Sequence, residues 1–170
     1  VQDLQIQFHV RLLNHVNPHT GKRYADDPAL AYVELQNEEN IFLQLYQLEK
    51  QLAQCPTYRK LFYQRFAEWL KAKYTSQEAL AKRWGNELRK DERLAEANIS
   101  PFPRWFKEPT PRIADQMAFI YHTQKEYYER FAEAVRKTGY KGRLVGSCWQ
   151  ASNWVGHLYN VLSDRDIGHI

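Results

Sequence analysis

The stretch Ala31-Tyr32-Val33-Glu34-Leu35-Gln36-Asn37-Glu38-Glu39-Asn40 decides how the rest of this chain is read. In an extended chain, Val33 and Leu35 fall on one side and Tyr32, Glu34, Gln36 and Glu38 on the other. A strand held between two apolar layers is apolar on both sides; this one is polar on one. The run therefore reads as a short strand (residues 30–40 with its tip) that delivers an amide and a carboxylic acid side by side at its C-terminal end. That placement suits a general acid at Glu38, with Asn37 beside it.

Working outward, residues 1–16 place Leu4, Phe8, Leu12 and Leu13 at helical spacing, the pattern of a helix covering a core. Asn17-Pro18-His19-Thr20-Gly21 stops it, and Asp26-Asp27-Pro28 continues the loop into the strand. Residues 41–97 are a helical excursion: 41–54 are helical, Pro56 interrupts them, and Leu61, Phe62, Phe66, Trp69 and Leu70 mark an amphipathic helix from Thr57 to Tyr74. Ser76-Gln77-Glu78 opens a further helix that Gly85 ends. Residues 98–111 hold four prolines and read as a long loop. Residues 112–138 are the clearest helix, with Ile113, Met117, Ile120, Tyr127, Phe131 and Val135 along one stripe and Gly139 closing it. Residues 143–170 hold a second strand ending at Trp149, a helix near Leu158–Leu162, and a third strand opening at Asp166–Ile170. Strand, long helical excursion, strand, short helix, strand is an order that favours parallel strands with crossover helices.

With 170 residues, 44% of them hydrophobic and 14% aromatic, the chain has material for one domain with a core. Its net charge of +4 comes from scattered Lys and Arg, so a phosphate-binding face is not expected and nucleic acid is not among the partners read here. No apolar stretch approaches the roughly 20 residues of a membrane span, and no signal-peptide pattern is visible. Cys55 and Cys148 make neither a disulfide framework nor a metal pair and read as idle thiols. His15 and His19 are four apart, but Pro18 and Gly21 break the helix that would align them, so no metal is expected; His169 reads as structural. Ser147 lacks a glycine-flanked elbow and a His partner, and no phosphate loop or dinucleotide fingerprint occurs. Asn98-Ile99-Ser100 is formally a glycosylation sequon, too short a motif to carry an argument. The chain starts inside an apparent helix at Val1 and stops inside an apparent strand at Ile170, the expectation for a piece of a longer protein.

In a parallel barrel, function gathers at the C-terminal strand ends. The first readable end presents Asn37, Glu38, Glu39 and Asn40; the second presents Trp149, followed by Asn153 and Trp154. Indoles that stack on a pyranose, with amides and carboxylates that bond its hydroxyls, are suited to sugars.

The runs from Leu13-Asn14-His15-Val16-Asn17-Pro18 through Asp26-Asp27-Pro28 to Val33-Glu34-Leu35-Gln36-Asn37-Glu38, with Gly146-Ser147-Cys148-Trp149, resemble the clan A retaining glycoside hydrolases of the cellulase, mannanase and β-galactosidase kind. Trp69, Lys73-Tyr74, Leu80 and Trp84-Gly85 resemble a helical insertion seen in some members. The resemblance implies an α/β fold, a partial (β/α)8 TIM barrel from about strand 4 to the start of strand 6, and hydrolysis of β-glycosidic bonds in poly- or oligosaccharides with retention. It implies Glu38 as acid/base, beginning protonated near neutral pH, and Asn37 as donor to the 2-hydroxyl. Trp149 is implied as a sugar platform, with Asn153 and Trp154 beside it. No cofactor is implied. Retaining chemistry needs a second carboxyl group roughly 5–5.5 Å away. Glu39 leaves the strand on the opposite face and Glu34 lies below the tip, so the nucleophile is expected outside this chain and the chain alone inactive.

Plainer readings stand beside these. Glu38 in isolation suits a helix cap, Glu34 a buried paired carboxylate, and Trp69, Trp84 and Trp105 packing residues. A non-catalytic carbohydrate-binding module using Trp149, Trp154 and exposed Tyr is the alternative function, and a helical scaffold fragment a third. A partial barrel has open sheet edges, so self-association through them is expected.

Overall fold

The computed structural model describes residues 1–103, 110–147 and 154–167. They divide into two units, one of residues 1–43 and 123–170, the other of residues 44–122.

The first unit contains α1 (Gln2–Asn14), β1 (Tyr32–Glu34), the later part of α5 (Pro111–Lys137), β2 (Arg143–Val145) and α6 (Trp154–Asp166). The two strands are parallel, with Tyr32 opposite Arg143, Val33 opposite Leu144 and Glu34 opposite Val145. The ladder continues past them: the Leu35 amide donates to Val145 O and the Gln36 amide to Gly146 O, both at 2.9 Å. Leu35 and Leu144 are buried and Val33 packs with them, against Leu13 of α1, Tyr128, Phe131 and Val135 of α5, and Tyr140. Tyr32, on the opposite face, is exposed. After α1 the chain turns at Gly21, whose φ of +67° favours glycine. The Arg23 guanidinium fastens that turn, donating to both Asp26 oxygens (2.7 and 3.0 Å), to Asn14 Oδ1 and to Thr138 O.

The second unit is helical: α2 (Leu45–Ala53), α3 (Pro56–Tyr74), α4 (Gln77–Trp84) and residues 111–122 of α5. Pro56, read as an interruption, in fact opens α3 at a position where its missing N–H has no helical partner to lose. Ser76 caps α4 by accepting the Ala79 amide at 3.1 Å, as its sequence signature promised. Phe66, Leu70, Leu80 and Phe119 are buried, and the rings of Phe66 and Phe119 lie 4.9 Å apart.

The expected partial (β/α)8 barrel does not form. The described residues make six α-helices and one two-stranded sheet, and the chain is mostly helical. Barrel closure requires many tilted strands in staggered register; here each ladder strand spans three residues. Strand formers run out after Leu35, where the chain reads Gln-Asn-Glu-Glu-Asn. The third strand expected from Asp166 is also corrected: α6 runs to Asp166 itself, and residues 168–170 lie outside the described residues. Self-association through open barrel edges loses that basis. No helix among the described residues is long and apolar enough to cross a membrane.

Candidate functional site

The C-terminal ends of β1 and β2 lie side by side because the strands are parallel and in register. Among the described residues Gln36 is the last of β1 to bond β2, so Asn37 and Glu38 follow directly on the laddered residues, and both are exposed. Glu38 has φ +50°, a left-handed conformation that costs a residue with a Cβ about 1–2 kcal/mol. Among the described residues its carboxylate makes no side-chain hydrogen bond or ion pair, so neither a helix cap nor a salt bridge accounts for it.

On either side of this tip the chain is held. Before it, the Tyr127 hydroxyl of α5 lies 3.0 Å from Gln36 Oε1 and 3.1 Å from Gln5 Oε1, bridging β1's end to α1. Burial raises the Tyr127 pKa, the hydrogen bond to Gln5 lowers it, and the charge of Glu39 raises it further. After the tip, buried Asn40 accepts the Leu43 amide at 2.8 Å, and the Ile41 amide donates to Gln124 Oε1 at 2.9 Å. Gln124 Nε2 in turn donates to Asn160 Oδ1 and Ser163 Oγ of α6, each at 2.7 Å. Phe42, fully buried, stacks on Tyr159 of α6. This run of polar residues is thus held at both ends, and residues 37–39 between them are exposed.

At β2's end the Gly146 amide donates to the buried Asp164 carboxylate. The Tyr128 hydroxyl is buried nearby and has no hydrogen-bond partner among the described residues. Its pKa is pushed up, first by burial, then by the charges of Asp164, Tyr127 and Glu34.

The residues expected to make the site are therefore brought together only in part. Asn37 and Glu38 share the tip. Trp149 and Asn153 lie outside the described residues, as do Cys148, Trp105 and His169; Trp154 opens α6, with its side chain likewise outside the description. Glu38 is exposed, so the described residues build no enclosure around its carboxyl group. No group of three or more His, Cys, Asp or Glu suited to a metal ion occurs among the described residues.

Two polar centres in the second unit escaped the sequence reading. Asp115, buried on α5, accepts from Lys73 Nζ (2.6 Å), the Tyr74 hydroxyl (2.5 Å) and Trp84 Nε1 (2.7 Å). Burial and the bond to Asp115 push the Tyr74 pKa up to about 12. Trp84 is thus a packing residue with its N–H satisfied, and Lys73 lies over the Trp69 and Tyr74 rings. The second centre is Arg112, which grips Glu92 with two parallel bonds of 2.6 and 2.7 Å and donates to Glu87 O. Burial alone would raise the Glu92 pKa; the bonds from Arg112 and the Arg89 amide reverse that and hold the carboxyl below its usual range. The signal for both lay in polar residues, Asp115 and Arg112, on the first turns of a strongly amphipathic helix.

The chain matches no family model, no curated protein and no solved structure.

Proposed function

We propose that this chain carries the proton-transfer half of a retaining β-glycosidase site, with Glu38 as acid/base and Asn37 as donor to the sugar's 2-hydroxyl. One observation carries the reading: Asn37 and Glu38 stand directly past the last laddered residue of β1, beside the end of parallel β2, with Glu38 in a strained left-handed conformation. Strain of this kind concentrates at functional positions, and hydrogen bonds at Gln36, Asn40 and Ile41 hold the chain on either side of Glu38. In the first step Glu38 protonates the departing glycosidic oxygen; in the second it takes a proton from the water that releases the glycosyl group. Trp149, Asn153 and Trp154 are the sugar contacts in this reading, and the nucleophilic carboxylate comes from outside the chain.

Two measurements test it. Saturating β-linked oligosaccharide is expected to move the amide NMR signals of residues 36–40. Any turnover that accompanies binding is expected to retain anomeric configuration and to fall about 10²–10⁴-fold in Glu38→Gln. Signals at 36–40 that ignore the sugar, or turnover equal in the two proteins, remove the reading.

A further inference from the structure

The second unit holds two clefts, of about 430 and 350 Å³. Each lies in the size range of ligand sites. They share Arg59, Tyr63 and Asn98, so they are two stretches of one groove that runs along α3. Its framework is fixed. The Arg112–Glu92 pair is buried and bonded twice, and buried Gln116 donates to Ser100 O and Phe102 O at 2.8 and 2.9 Å, which pins the loop forming one wall. Asn98 is held by the Arg93 amide and by Asp91 O.

The lining selects a chemical class. Arg59 and Arg89 line the larger cleft together with the carboxylates of Glu49, Glu87 and Asp91, so a polymer of either charge meets like charge within it. Phe102 and Ile113 are buried in the larger cleft, and Tyr63, half-buried and common to both stretches, is the aromatic side chain the groove offers, a face of the kind on which a pyranose stacks. Beside it stand donors and acceptors, among them Gln64, Asn86 and Ser100, with Ala53, Pro56 and Ala97 in the smaller cleft. A neutral ligand that both donates and accepts at every unit satisfies them. The geometry points to an oligosaccharide-binding groove in the helical unit, separate from the Glu38 tip and independent of its reading. A groove in two stretches binds a chain of sugars better than a single one.

The test is an NMR titration of the whole chain with neutral β-linked hexasaccharides (gluco-, xylo- and manno-), with glucose, and with oligogalacturonate and an uncharged hexapeptide as the other arms. Expected are saturable shifts of the Gln64, Asn86 and Ser100 signals with a hexasaccharide, affinity at least tenfold weaker for glucose, and a loss of at least tenfold in Glu49→Ala/Asn86→Ala. Both substituted residues are exposed, so the fold survives and unchanged remaining amide signals verify it. Shifts confined to residues 36–40, no saturation by any neutral hexasaccharide, stronger binding of the charged or peptide probe, or an unaffected double variant each overturn the proposal. Because residues 36–40 report separately, failure of the groove and failure of the Glu38 assignment are read from different signals.

Discussion

The Gly146 amide and the Asp164 carboxylate meet at 2.5 Å, across the space that a side chain at position 146 would fill. A Cβ there would stand 2.1 Å from Asp164 Oδ1 and 2.7 Å from the Tyr128 ring. The end of β2 is thus fixed against α6 and α5 by a glycine chosen for its lack of substituent. Gly146→Ala forces the carboxylate or the ring out of a packed core, and overpacking of this kind costs about 1–3 kcal/mol. The expected result is a lower urea midpoint with the slope of the transition unchanged. A midpoint equal to that of the parent would show that the contact is not made.

Arg112 and Glu92 give a prediction with a pH signature. Removing one member of a buried pair leaves the other charged and unsatisfied, at a cost of about 3–5 kcal/mol. Arg112→Leu is therefore expected to destabilise strongly at neutral pH, and Arg112→Leu/Glu92→Leu much less. The Glu92 carboxyl is held low in the folded state, so the unfolded chain takes up the proton first as pH falls. Its stabilisation is complete above the ordinary carboxylate range and is lost as pH drops through the lowered folded value. The gap between parent and Arg112→Leu should accordingly narrow in acid, as Glu92 becomes neutral. Urea unfolding of both proteins across that range checks the sign.

Much of the helical architecture was legible in the sequence because spacing and caps agreed: the stripe from Ile113 to Val135, the Ser76 cap, and the halt at Gly139. The alternation of Val33 and Leu35 was also legible, since a period of two over a few residues suffices to place a short strand. The extent of the sheet was not, because nothing in a local pattern says how many strands a neighbour will bring. Nor were the buried polar groups. Gln124 and Asn160 are 36 residues apart and Lys73 and Asp115 are 42 apart, and only the fold pairs them. In α6 the ordinary rule is reversed: Asn160, Ser163 and Asp164 are buried while Leu158 and Val161 are exposed. A reader who sends polar residues to solvent turns that helix the wrong way round. For the candidate site, Asn37-Glu38 at a strand's end was readable, but the clamp built by Asn40, Gln124 and Tyr127 was not.

That clamp is testable at Gln124. Its amide group bonds the Ile41 N–H on one side and Asn160 and Ser163 on the other. Gln124→Ala leaves buried partners without a bond, a loss of about 1–3 kcal/mol. The local consequence is more diagnostic than the global one. Amide hydrogen exchange at Ile41 is expected to accelerate by more than that at β1 residues such as Leu35. Equal acceleration at both sites would mean that Gln124 supports the fold in general rather than the segment after Glu38.

The strain at Glu38 separates stability from activity. Its φ of +50° suits glycine and disfavours any residue with a Cβ. If the carboxyl group is retained for proton transfer and not for the fold, removing it should stabilise the chain. Glu38→Gly is expected to raise the urea midpoint by an amount corresponding to about 0.5–1 kcal/mol, the relief of the left-handed conformation less the extra entropy of an unfolded glycine. Glu38→Gln keeps the Cβ and the strain, so its midpoint should match the parent's. The two variants share the loss of the acid and differ in backbone cost. A Glu38→Gly protein less stable than the parent would mean that the side chain earns its position by packing, and the case for a strained catalytic carboxylate would fail with it.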